Sequence, residues 1–486
     1  MWFIVERFGA ITELRTGECW PPARLAAAVR TRAAALKSLG VGRGTRVLIC
    51  EAGGGSFFAD LLAVWRLGAC AVCLSSTTTP TEIENITDFM EPAALLVDAE
   101  TPSVRLSIPC VCLANERDRD DPDEPGGQPS SLDDDALVLL TSGTTGTPKG
   151  VVHSFRGLLA RLALNRQIIG DVALHRTLCL LPAHFGHGLI GNSLTPLVAG
   201  HDLVIGSDLG PSALGSLDHI VDEHAISFMS SVPATWKLVT RLCRRTPARP
   251  LTRVHVGSAP LSAALWTRIA EWSGTDDVVN AYGLTETANW VAGASARTYR
   301  PADGLVGQMW GGAAAVLRED GRLAGSGEGE IVLQTPSVMR GYYRRADLDR
   351  DTWHEGWFRT RDFGEIDAGG AIRLLRRMGQ EINRGGIKVH PQDIEQLLER
   401  YEDVDAACAF AFDDEILTQG IGVAVAAVRG AHLDVDDLKA WSAARLSKDK
   451  LPDRWFVTDD IPRTERGKVD RPAVVRQCLR PSSVAT

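Results

Sequence analysis

The chain has 486 residues, of which 44% are hydrophobic and 23% are charged, and its formal net charge is −9. This composition is typical of a soluble globular protein with a sizeable core, and the acidic balance provides no basic field that would attract nucleic acid or an anionic membrane. The N-terminus lacks the basic start and apolar run of a secretory signal, and no segment reaches about 18 uninterrupted apolar residues, so we expect a cytoplasmic protein without membrane spans.

Helix and strand patterns alternate over the first hundred residues. Residues 24–40 and 57–68 have helical composition, and the first of these segments ends on a glycine. Short apolar runs predict strands at 46–50, 69–75 and 93–99. Strands separated by helices of this length predict right-handed β-α-β units in a parallel sheet.

The rest of the chain divides by composition. Residues 114–135 are rich in Asp, Glu, Pro, Gly and Ser, which predicts an exposed loop. Strand and helix patterns continue to about residue 310 and are followed by a glycine-rich stretch of strands. From about residue 379 the composition is more polar, which predicts a smaller α+β unit in the C-terminal part of the chain.

Two of the ten cysteines, Cys70 and Cys73, have the C-x-x-C spacing that occurs in zinc and redox sites. They lie in an apolar run that predicts a buried strand, and no second Cys/His pair stands nearby to complete four ligands. We therefore interpret them as core residues rather than metal ligands, and we expect no disulfide.

The strongest motif is ALVLLTSGTTGTPKGVVHS at 136–154, an apolar strand followed by a loop dense in Thr, Ser and Gly. Glycines let backbone N–H groups approach an anion closely, and the hydroxyls and Lys149 add donors for polyphosphate oxygens. The loop differs from the Walker type, which needs Gly-Lys-Ser/Thr, because Pro148 precedes the lysine and Gly150 follows it. The density of these residues favours a phosphate-binding loop over a surface turn.

TSGTTGTPKG resembles, throughout its length, the phosphate loop of the acyl-adenylate-forming superfamily, which comprises acyl-CoA ligases, peptide-synthetase adenylation domains and luciferase-like enzymes. Within it, the chain is most similar to ligases for aryl or small acids. The other family motifs follow in order, and they are NAYGLTE (280–286), GEIVLQTPSVMRGYY (329–343), WFRTRDFGEID (357–367), INRGGIKVHPQDIE (382–395) and PRTERGKVDR (462–471). The resemblance implies an α/β fold with a large N-terminal domain of β-α-β sheets plus a distorted barrel, residues 1–378, and a smaller, mobile α+β domain, residues 379–486.

The resemblance also implies which residues bind ATP. Tyr282 offers an aromatic face for adenine, Asp362 is an acceptor suited to the ribose hydroxyls, and Arg377 contacts the same sugar. The residues expected to contact the nucleotide are Thr141, Ser142, Gly143, Thr144, Thr145, Gly146, Lys149, Gly257, Ser258, Ala259, Tyr282, Gly283, Asp362 and Arg377.

Three residues are expected to take part in catalysis. Glu286 is a carboxylate suited to Mg²⁺, which bridges substrate phosphates, and Thr285 is expected to hydrogen-bond the α-phosphate region. Lys468 follows Gly467 near the chain end, and its ammonium group stabilises the charge that develops when a carboxylate attacks the α-phosphate. Outside the resemblance, Glu286 and Lys468 would be interpreted as solvated surface charges.

Three positions depart from the family pattern. Arg361 stands where the family usually has the glycine before the ribose aspartate, and it either adds a phosphate contact or distorts the turn. Gly379 stands at the hinge position, usually Asp or Lys, where glycine can absorb the φ and ψ changes of a domain rotation. In LPAHFGHGLIGN (181–192), Phe185 stands where many relatives carry a histidine, and Gly186 where amino-acid-activating relatives carry an aspartate.

The last departure bears on the acid substrate. A buried α-ammonium group needs a partner charge, and Gly186 supplies none, so we expect an acid without an α-amino group, with aromatic acids as the first candidates. The segment is also similar to one in ligases for small dicarboxylic acids, but no basic residue stands out that would bind a second carboxylate. The residues expected to border the acid are His184, Phe185, Gly186, His187, Ser230, Val256 and Asn280. Two interpretations of the two histidines stay open, since they either line an acyl pocket or its gate or are hydrogen-bonded structural residues.

These observations predict an enzyme that uses ATP and Mg²⁺ to form an acyl-AMP with release of pyrophosphate and then passes the acyl group to a thiol. Gly385 and Gly386 resemble family residues that give a thiol tunnel its backbone access. The thiol belongs to CoA or to the phosphopantetheine arm of an acyl carrier protein. The alternatives are an adenylating enzyme with a non-thiol acceptor and a non-catalytic binding relative. We expect a monomer or homodimer that acts on a small carboxylic acid and has neither nucleic-acid nor membrane partners.

Overall fold

The computed structural model describes residues 3, 5–98, 106–115, 131–141, 149–207, 209–379, 381–384, 387–414, 418–431, 433–446, 448–464 and 467–479. The strands are β1 Ile11–Glu13, β2 Cys19–Trp20, β3 Arg46–Cys50, β4 Cys70–Leu74, β5 Ala94–Val97, β6 Cys110–Val111, β7 Asp135–Thr141, β8 Lys149–Ser154, β9 Arg176–Cys179, β10 Asp202–Ile205, β11 Phe228–Ser231, β12 Arg253–Gly257, β13 Val278–Gly283, β14 Trp290–Ser295, β15 Leu305–Met309, β16 Ala313–Leu317, β17 Leu323–Ala324, β18 Gly327–Gln334, β19 Gly341–Tyr342, β20 Trp353–His354, β21 Trp357–Ile366, β22 Ile372–Arg377, β23 Ile382–Arg384, β24 Ile387–Val389, β25 Val404–Asp414, β26 Thr418–Ala427 and β27 Arg454–Thr458.

The α-helices are α1 Pro22–Ser38, α2 Gly55–Arg66, α3 Pro80–Met90, α4 Phe155–Ile169, α5 Asp171–Leu174, α6 Thr195–Val198, α7 Pro211–Leu214, α8 Leu217–Glu223, α9 Pro233–Leu242, α10 Ala263–Ser273, α11 Ala346–Arg350, α12 Pro391–Leu398, α13 Val435–Ala443 and α14 Arg471–Cys478. A π-helix spans His187–Leu194, and short 3₁₀ turns span Val5–Arg7, Leu113–Asn115, Thr285–Thr287 and Lys448–Lys450.

The first sheet has seven strands among the described residues, in the order β19-β8-β7-β4-β3-β5-β6. Its central strands β3, β4, β5 and β7 pair in parallel. Because β3 and β4 are covered on both faces, their sequences are continuous apolar runs rather than alternating ones. The strands and helices predicted for the first hundred residues are confirmed, with small shifts at their ends, whereas most of the predicted loop at 114–135 lies outside the described residues.

The second sheet has fifteen described strands, in the order β17-β16-β18-β21-β22-β15-β14-β13-β12-β11-β9-β10-β1-β2, with β20 paired to β21. Strands β11, β12 and β13 are parallel neighbours, so their carboxyl ends meet at one edge, the usual position of a ligand site in such sheets. From β13 onward the pairing is antiparallel. The stretch expected to form a distorted barrel continues this sheet, which does not close in the described part of the chain.

The third sheet contains the five described strands that follow Gly379, in the order β24-β23-β26-β25 with β27 beside β26. Helices α12 and α13 cover it and share with it a core of its own, which includes Ile394, Val423 and Leu438. This α+β unit is called the lid below. Within the described ranges, no helix is long and apolar enough to cross a membrane.

Cys70 and Cys73 lie on opposite faces of β4, because side chains alternate along a strand. Cys70 packs in one hydrophobic cluster and Cys73 in another. Burial raises the pKa of the Cys73 thiol to about 12. The interpretation of this pair as core residues is therefore confirmed. Among the described residues, no cluster of three or more His, Cys, Asp or Glu side chains is arranged to hold a metal ion.

A pair of buried carboxyl groups beside β3 makes stability depend on pH. Glu51 lies against Asp60, and Asp60 Oδ1 forms an ion pair of 2.9 Å with Nη1 of buried Arg32. Burial, and then the neighbouring Asp60 carboxylate, raise the pKa of Glu51 to about 10. The folded protein therefore binds a proton that the unfolded chain releases near its ordinary pKa of about 4.3, so this proton's contribution to stability falls as the pH rises from there through about 10.

We expect Glu51→Gln, whose side chain cannot ionise, to make the stability fall less steeply as the pH rises. Melting temperatures measured between pH 5 and pH 9 should fall less steeply for the variant than for the wild type, since glutamine can still donate a hydrogen bond to the Asp60 carboxylate. Parallel pH profiles for the two proteins would show that Glu51 does not hold this proton.

Candidate active site

The residues predicted to bind the ribose come together at the junction of β13, β21 and β22. The Tyr282 hydroxyl donates to Asp362 Oδ2 over 2.6 Å, and Arg377 Nη1 donates to Asp362 Oδ1 over 2.7 Å. Asp362 and Arg377 are also directly paired across the antiparallel β21–β22 ladder. Burial and the adjacent carboxylate raise the pKa of Tyr282, so the phenol stays protonated and remains a donor. This arrangement fixes a carboxylate and an aromatic ring side by side.

Arg361 adopts a left-handed backbone conformation, with φ of +63°. Its guanidinium donates to the Asp351 carbonyl, and its backbone N–H donates to Glu330 Oε1, each over 3.0 Å. The side chain therefore supports the turn before Asp362 and contacts a carbonyl oxygen in this structure. This backbone conformation is strained, because the left-handed region costs a residue with a Cβ roughly 1–2 kcal/mol.

We expect Arg361→Gly to remove this strain and to raise the free energy of unfolding by up to about 1 kcal/mol, since the exposed guanidinium bond that is lost contributes less than the strain. Arg361→Ala should lower stability instead, because it keeps the strain and loses the bond to Asp351. Denaturant titration of both variants checks this, and an equal loss in both would contradict it.

The turn that carries Thr285 and Glu286 is held in place by its neighbours. His153 Nε2 donates to the Thr285 carbonyl over 2.9 Å, and Met339 N–H donates to the Glu286 carbonyl over 2.7 Å. The Tyr342 hydroxyl donates to Glu286 Oε1 over 2.7 Å. Burial lowers the pKa of His153 to about 4, so this imidazole is neutral and fixed as a donor. The Glu286 carboxylate is thereby held beside Tyr342 while the residue remains partly exposed.

The predicted phosphate loop connects β7 and β8, which form an antiparallel hairpin that ends with Thr141 opposite Lys149. Lys149 Nζ lies 6.0 Å from the centre of the Tyr342 ring, within cation–π range. Because Tyr342 also binds Glu286, the lysine and the carboxylate flank the same phenol. The predicted residues Ser142, Gly143, Thr144, Thr145 and Gly146 lie outside the described residues.

His187 begins the π-helix, and its imidazole bridges Ser230 on β11 and Ser258 just after β12. Its Nδ1 lies 2.8 Å from Ser258 Oγ, and its Nε2 lies 2.6 Å from Ser230 Oγ. Burial lowers the pKa of His187 to about 3, so the ring is neutral, and one nitrogen donates while the other accepts. His187 and Ser258 keep part of their surface accessible, whereas Ser230 is fully buried. Ser258, like Arg361, is left-handed, with φ of +68°.

The segment before His187 is fixed by packing. A Cβ on Gly186 would lie 2.6 Å from the Ala288 carbonyl oxygen, so this backbone position has no room for a side chain. Asn289 Nδ2 donates to the Gly186 carbonyl over 2.8 Å. His184 and Phe185 are partly exposed, with ring centres 4.0 Å apart. The contacts with Ala288 and Asn289 therefore fix the position of this segment.

Two residues predicted to border the acid have buried side chains. Val256 shares one face of β12 with Val254, and both pack in the same hydrophobic cluster. Asn280 is buried, and its Nδ2 donates to the Leu305 carbonyl over 2.7 Å, which joins β13 to β15. Their contact with the acid stays a prediction.

The remaining predicted residues lie at the ends of β12 and β13 or outside the described residues. Gly257, Ala259 and Gly283 stand at the carboxyl ends of β12 and β13, beside Ser258 and Tyr282. Gly385 and Gly386 of the predicted thiol tunnel lie outside the described residues. Residues that sequence reasoning missed as site residues are His153, Tyr342 and Trp290, each of which contacts a predicted residue.

Lys468 lies on an exposed turn of the lid that reaches the body of the protein. The turn is closed by a bridge between Arg463 and Val469 and by a 2.7 Å bond from Thr464 N–H to the Lys468 carbonyl. A Cβ on Gly467 would lie 2.9 Å from Val232 Cγ2, so the turn packs against the residue that follows β11 and precedes α9. The lysine turn therefore contacts the body of the protein between β11 and α9.

A hydrogen bond and an ion pair join the lid to the body. Lys237 Nζ, on α9, donates to the Asp405 carbonyl over 2.9 Å. Arg400 Nη2, which follows α12, pairs with Asp303 Oδ2 over 3.0 Å. Gly379, between the last body strand and the first lid strand, is left-handed with φ of +76° and has open space around it. A single residue with this freedom suits a pivot.

The family described as AMP-binding enzyme matches residues 22–343, and the C-terminal domain of AMP-binding enzymes matches residues 393–468. The chain is 32% identical over 360 residues to a sulfoacetate–CoA ligase of Cupriavidus necator, covering 71% of this chain and 67% of that protein. It is 28% identical over 470 residues to a feruloyl-CoA synthase of Amycolatopsis, covering 94% and 93%. Its fold matches that of ATP-bound MatB from Rhodopseudomonas palustris with a TM-score of 0.84 at 23% identity, over 97% of this chain and 96% of that chain.

Proposed function

The chain belongs to the family of AMP-binding enzymes and is an ATP-dependent acid–thiol ligase, and from this premise we propose that it activates a small carboxylic acid without an α-amino group and transfers the acyl group to CoA. The reaction has two steps. In the first, a carboxylate oxygen of the acid attacks the α-phosphorus of ATP, and the acyl-AMP forms as the bond to pyrophosphate breaks. In the second, a thiolate attacks the acyl carbon and AMP leaves.

The nucleotide lies, in this proposal, between the ribose cluster and the phosphate loop. Asp362 accepts from the ribose hydroxyls while Tyr282 and Arg377 hold its carboxylate in place. Lys149 supplies a positive charge for the phosphates at the end of the β7–β8 hairpin. The Thr285 carbonyl is held by His153, so the threonine side chain is presented from a fixed turn.

Glu286 would hold Mg²⁺. Its Oε1 accepts from Tyr342, its carboxylate is partly exposed to the cleft, and Lys149 flanks the same tyrosine, so the donor set suits an oxygen-liganded cation beside polyphosphate. When bound, the ion neutralises phosphate charge. Tyr342 orients the carboxylate, and its own pKa is raised by burial and by Glu286, so it remains a donor.

The lid, residues 379–486, delivers Lys468. The contact of the Gly467 turn with Val232 supports a pose in which the ammonium reaches the α-phosphate from the acid side of the cleft. The lid then turns about Gly379, so that Gly385 and Gly386 face the acyl-AMP and admit the thiol. In this proposal, the hydrogen bond from Lys237 to the Asp405 carbonyl and the ion pair between Arg400 and Asp303 stabilise the first of these two poses.

The observation that carries the substrate proposal is that the residues proposed to border the acid include no carboxylate; they are His184, Phe185, His187, Ser230 and Ser258. His187 is uncharged, because burial lowers its pKa to about 3. A cationic α-amine there would have no carboxylate partner among these residues, which is costly in a buried site. An aspartate at position 186 is excluded by the Ala288 carbonyl. CoA as the acceptor is supported by the matched relatives, which are a CoA ligase and a CoA thioester synthase.

The test is ATP–pyrophosphate exchange with pairs of acids that differ in the α-amino group, such as propionate and alanine, or 3-phenylpropionate and phenylalanine. We expect the amino-free member to support exchange at least about tenfold faster, equivalent to roughly 1.4 kcal/mol. A standard amino acid as the best substrate would contradict the substrate assignment. Thioester formation is then compared with CoA and with a holo acyl carrier protein, and product on the carrier alone would contradict the acceptor assignment.

A further inference from the structure

We propose that the buried carboxylate of Glu330 positions the ribose-binding aspartate, because it holds together the strained bulge of β21 that presents Asp362. The inference rests on the proposed function and deepens it, since it assigns a positioning residue for recognition of the ATP sugar. In this role Glu330 acts through the backbone of β21 rather than by touching the nucleotide.

The bulge lies where β21 runs beside β18. The register of the two strands shifts after Glu330, so residues 360–362 of β21 stand opposite the single residue Ile331. A bulge of this kind re-aims the side chains around it, and such bulges are common beside active sites. Asp362 is the last residue of the bulge, so the direction of its carboxylate depends on the shape of the bulge.

The centre of the bulge is strained. Arg361 has a φ of +63°, in the left-handed region that a residue with a Cβ enters at a steric cost. Conformations of this kind persist only where the surrounding structure holds them in place. Because the sequence has an arginine here rather than a glycine, the bulge needs contacts that fix its backbone.

Glu330 supplies those contacts from the neighbouring strand. Its Oε1 accepts from the Arg361 N–H over 3.0 Å, and its Oε2 accepts from Arg359 Nη2 over 2.6 Å and from Arg359 Nε over 3.0 Å. Glu330 is 3% exposed, and the guanidinium offsets the cost of burying its charge. Since one oxygen binds the residue before the bulge and the other binds its centre, the carboxylate fixes the bulge at two points.

The bulge in turn fixes Asp362. The Thr360 hydroxyl donates to the Ile331 carbonyl over 2.6 Å and accepts from the Asp362 N–H over 3.0 Å. Arg377 Nη1 donates to the Thr360 carbonyl and to Asp362 Oδ1, each over 2.7 Å. A change in the backbone at 360–361 therefore moves both the aspartate and the arginine that orients it.

The experiment measures dissociation constants of the purified chain for ATP and for 2′-deoxy-ATP, with Mg²⁺ present, by isothermal titration calorimetry. The wild type should bind ATP at least about tenfold more tightly, since removal of the 2′-hydroxyl removes a hydrogen bond to a charged group. Glu330→Gln has a single acceptor oxygen, for which the charged Arg359 competes with the Arg361 N–H, so the preference should fall to about threefold or less. Glu328→Gln, a matched change at an exposed glutamate on the same strand, should keep the wild-type preference.

The variant that separates positioning from packing is Glu330→Gln/Arg361→Gly. Glycine adopts the left-handed region without the steric cost, so the bulge should form without Glu330, and the preference for ATP should return to within about threefold of that of Arg361→Gly alone. A role in packing alone would not be rescued in this way. In pyrophosphate exchange, Glu330→Gln should raise KM for ATP more than it lowers kcat.

Glu330→Met/Arg359→Met removes both charges, so it should fold even if Glu330→Gln, which leaves a guanidinium without its partner charge, does not, and a thermal melt reveals this. It should also lose the preference, because the Arg361 N–H again lacks its acceptor. An unchanged preference in the Glu330 variants, or a loss that Arg361→Gly does not rescue, would overturn the inference. A wild type that binds ATP no better than 2′-deoxy-ATP, or exchange that does not depend on an acid, would instead overturn the proposed function, so the two failures are distinguishable.

Discussion

Replacement of Lys468 by alanine is expected to slow acyl-AMP formation by about 10²–10³-fold, because one charged group that stabilises the transition state contributes about 3–4 kcal/mol. The side chain lies on an exposed turn, and the packing of that turn on Val232 is made by Gly467, so the fold should be unaffected. Thioester formation from supplied acyl-AMP should remain close to the wild-type rate, since that step does not involve attack on the α-phosphate. The measurement is pyrophosphate exchange alongside thioester synthesis from synthetic acyl-AMP.

A matched control is Lys439→Ala, which removes another exposed lid lysine whose partner is Asp436 three residues away. That variant should retain both half-reactions. If Lys468→Ala adenylates at nearly the wild-type rate, or if both half-reactions fall together, Lys468 does not have the proposed role.

Gly379→Pro is expected to reduce pyrophosphate exchange by more than about tenfold, equivalent to roughly 1.4 kcal/mol. The observed φ of +76° excludes proline, which is restricted to about −65°. Because the Lys468 turn contacts Val232 in this pose, we expect adenylation to suffer more than thioester formation from supplied acyl-AMP. Gly379→Ala should show a milder effect in the same direction, since the left-handed region costs alanine about 1–2 kcal/mol.

Gly430 offers a control, because its backbone φ is as incompatible with proline as that of Gly379. It is also left-handed, with φ of +88°, and lies in a turn of the lid after β26. Gly430→Pro should lower stability without separating the two half-reactions. Equal and small effects of Gly379→Pro on both half-reactions would show that the chain pivots elsewhere, and the proposed boundary between 378 and 379 would have to move.

Local patterns in the sequence were sufficient for the elements that form the scaffold. The apolar runs of β3 and β4 are continuous because both faces are buried, and this signal is contained within each segment. The pairing of Asp362 with Arg377 could be anticipated only through the family resemblance, since the two residues belong to different strands. That Val254 and Val256 share one face of β12 was available from the sequence, because side chains alternate along a strand.

Contacts between distant segments could not be predicted in this way. Tyr342 and Glu286 are 56 positions apart, and His153 and Thr285 are 132 apart. Nothing in the composition around Tyr342 or His153 indicates a partner, because these bonds depend on how β8 and β19 meet the turn at 285–287. The bridge from His187 to Ser230 and Ser258 is of the same kind.

The most direct test of the central claim is an analysis of nucleotide products with the purified chain, ATP, Mg²⁺ and the best acid from the exchange panel. The account predicts acid-dependent incorporation of labelled pyrophosphate into ATP in the absence of any thiol. On addition of CoA, it predicts equal amounts of AMP, pyrophosphate and acyl-CoA. Formation of ADP and inorganic phosphate, or of AMP without any dependence on the acid, would contradict activation through an acyl-AMP.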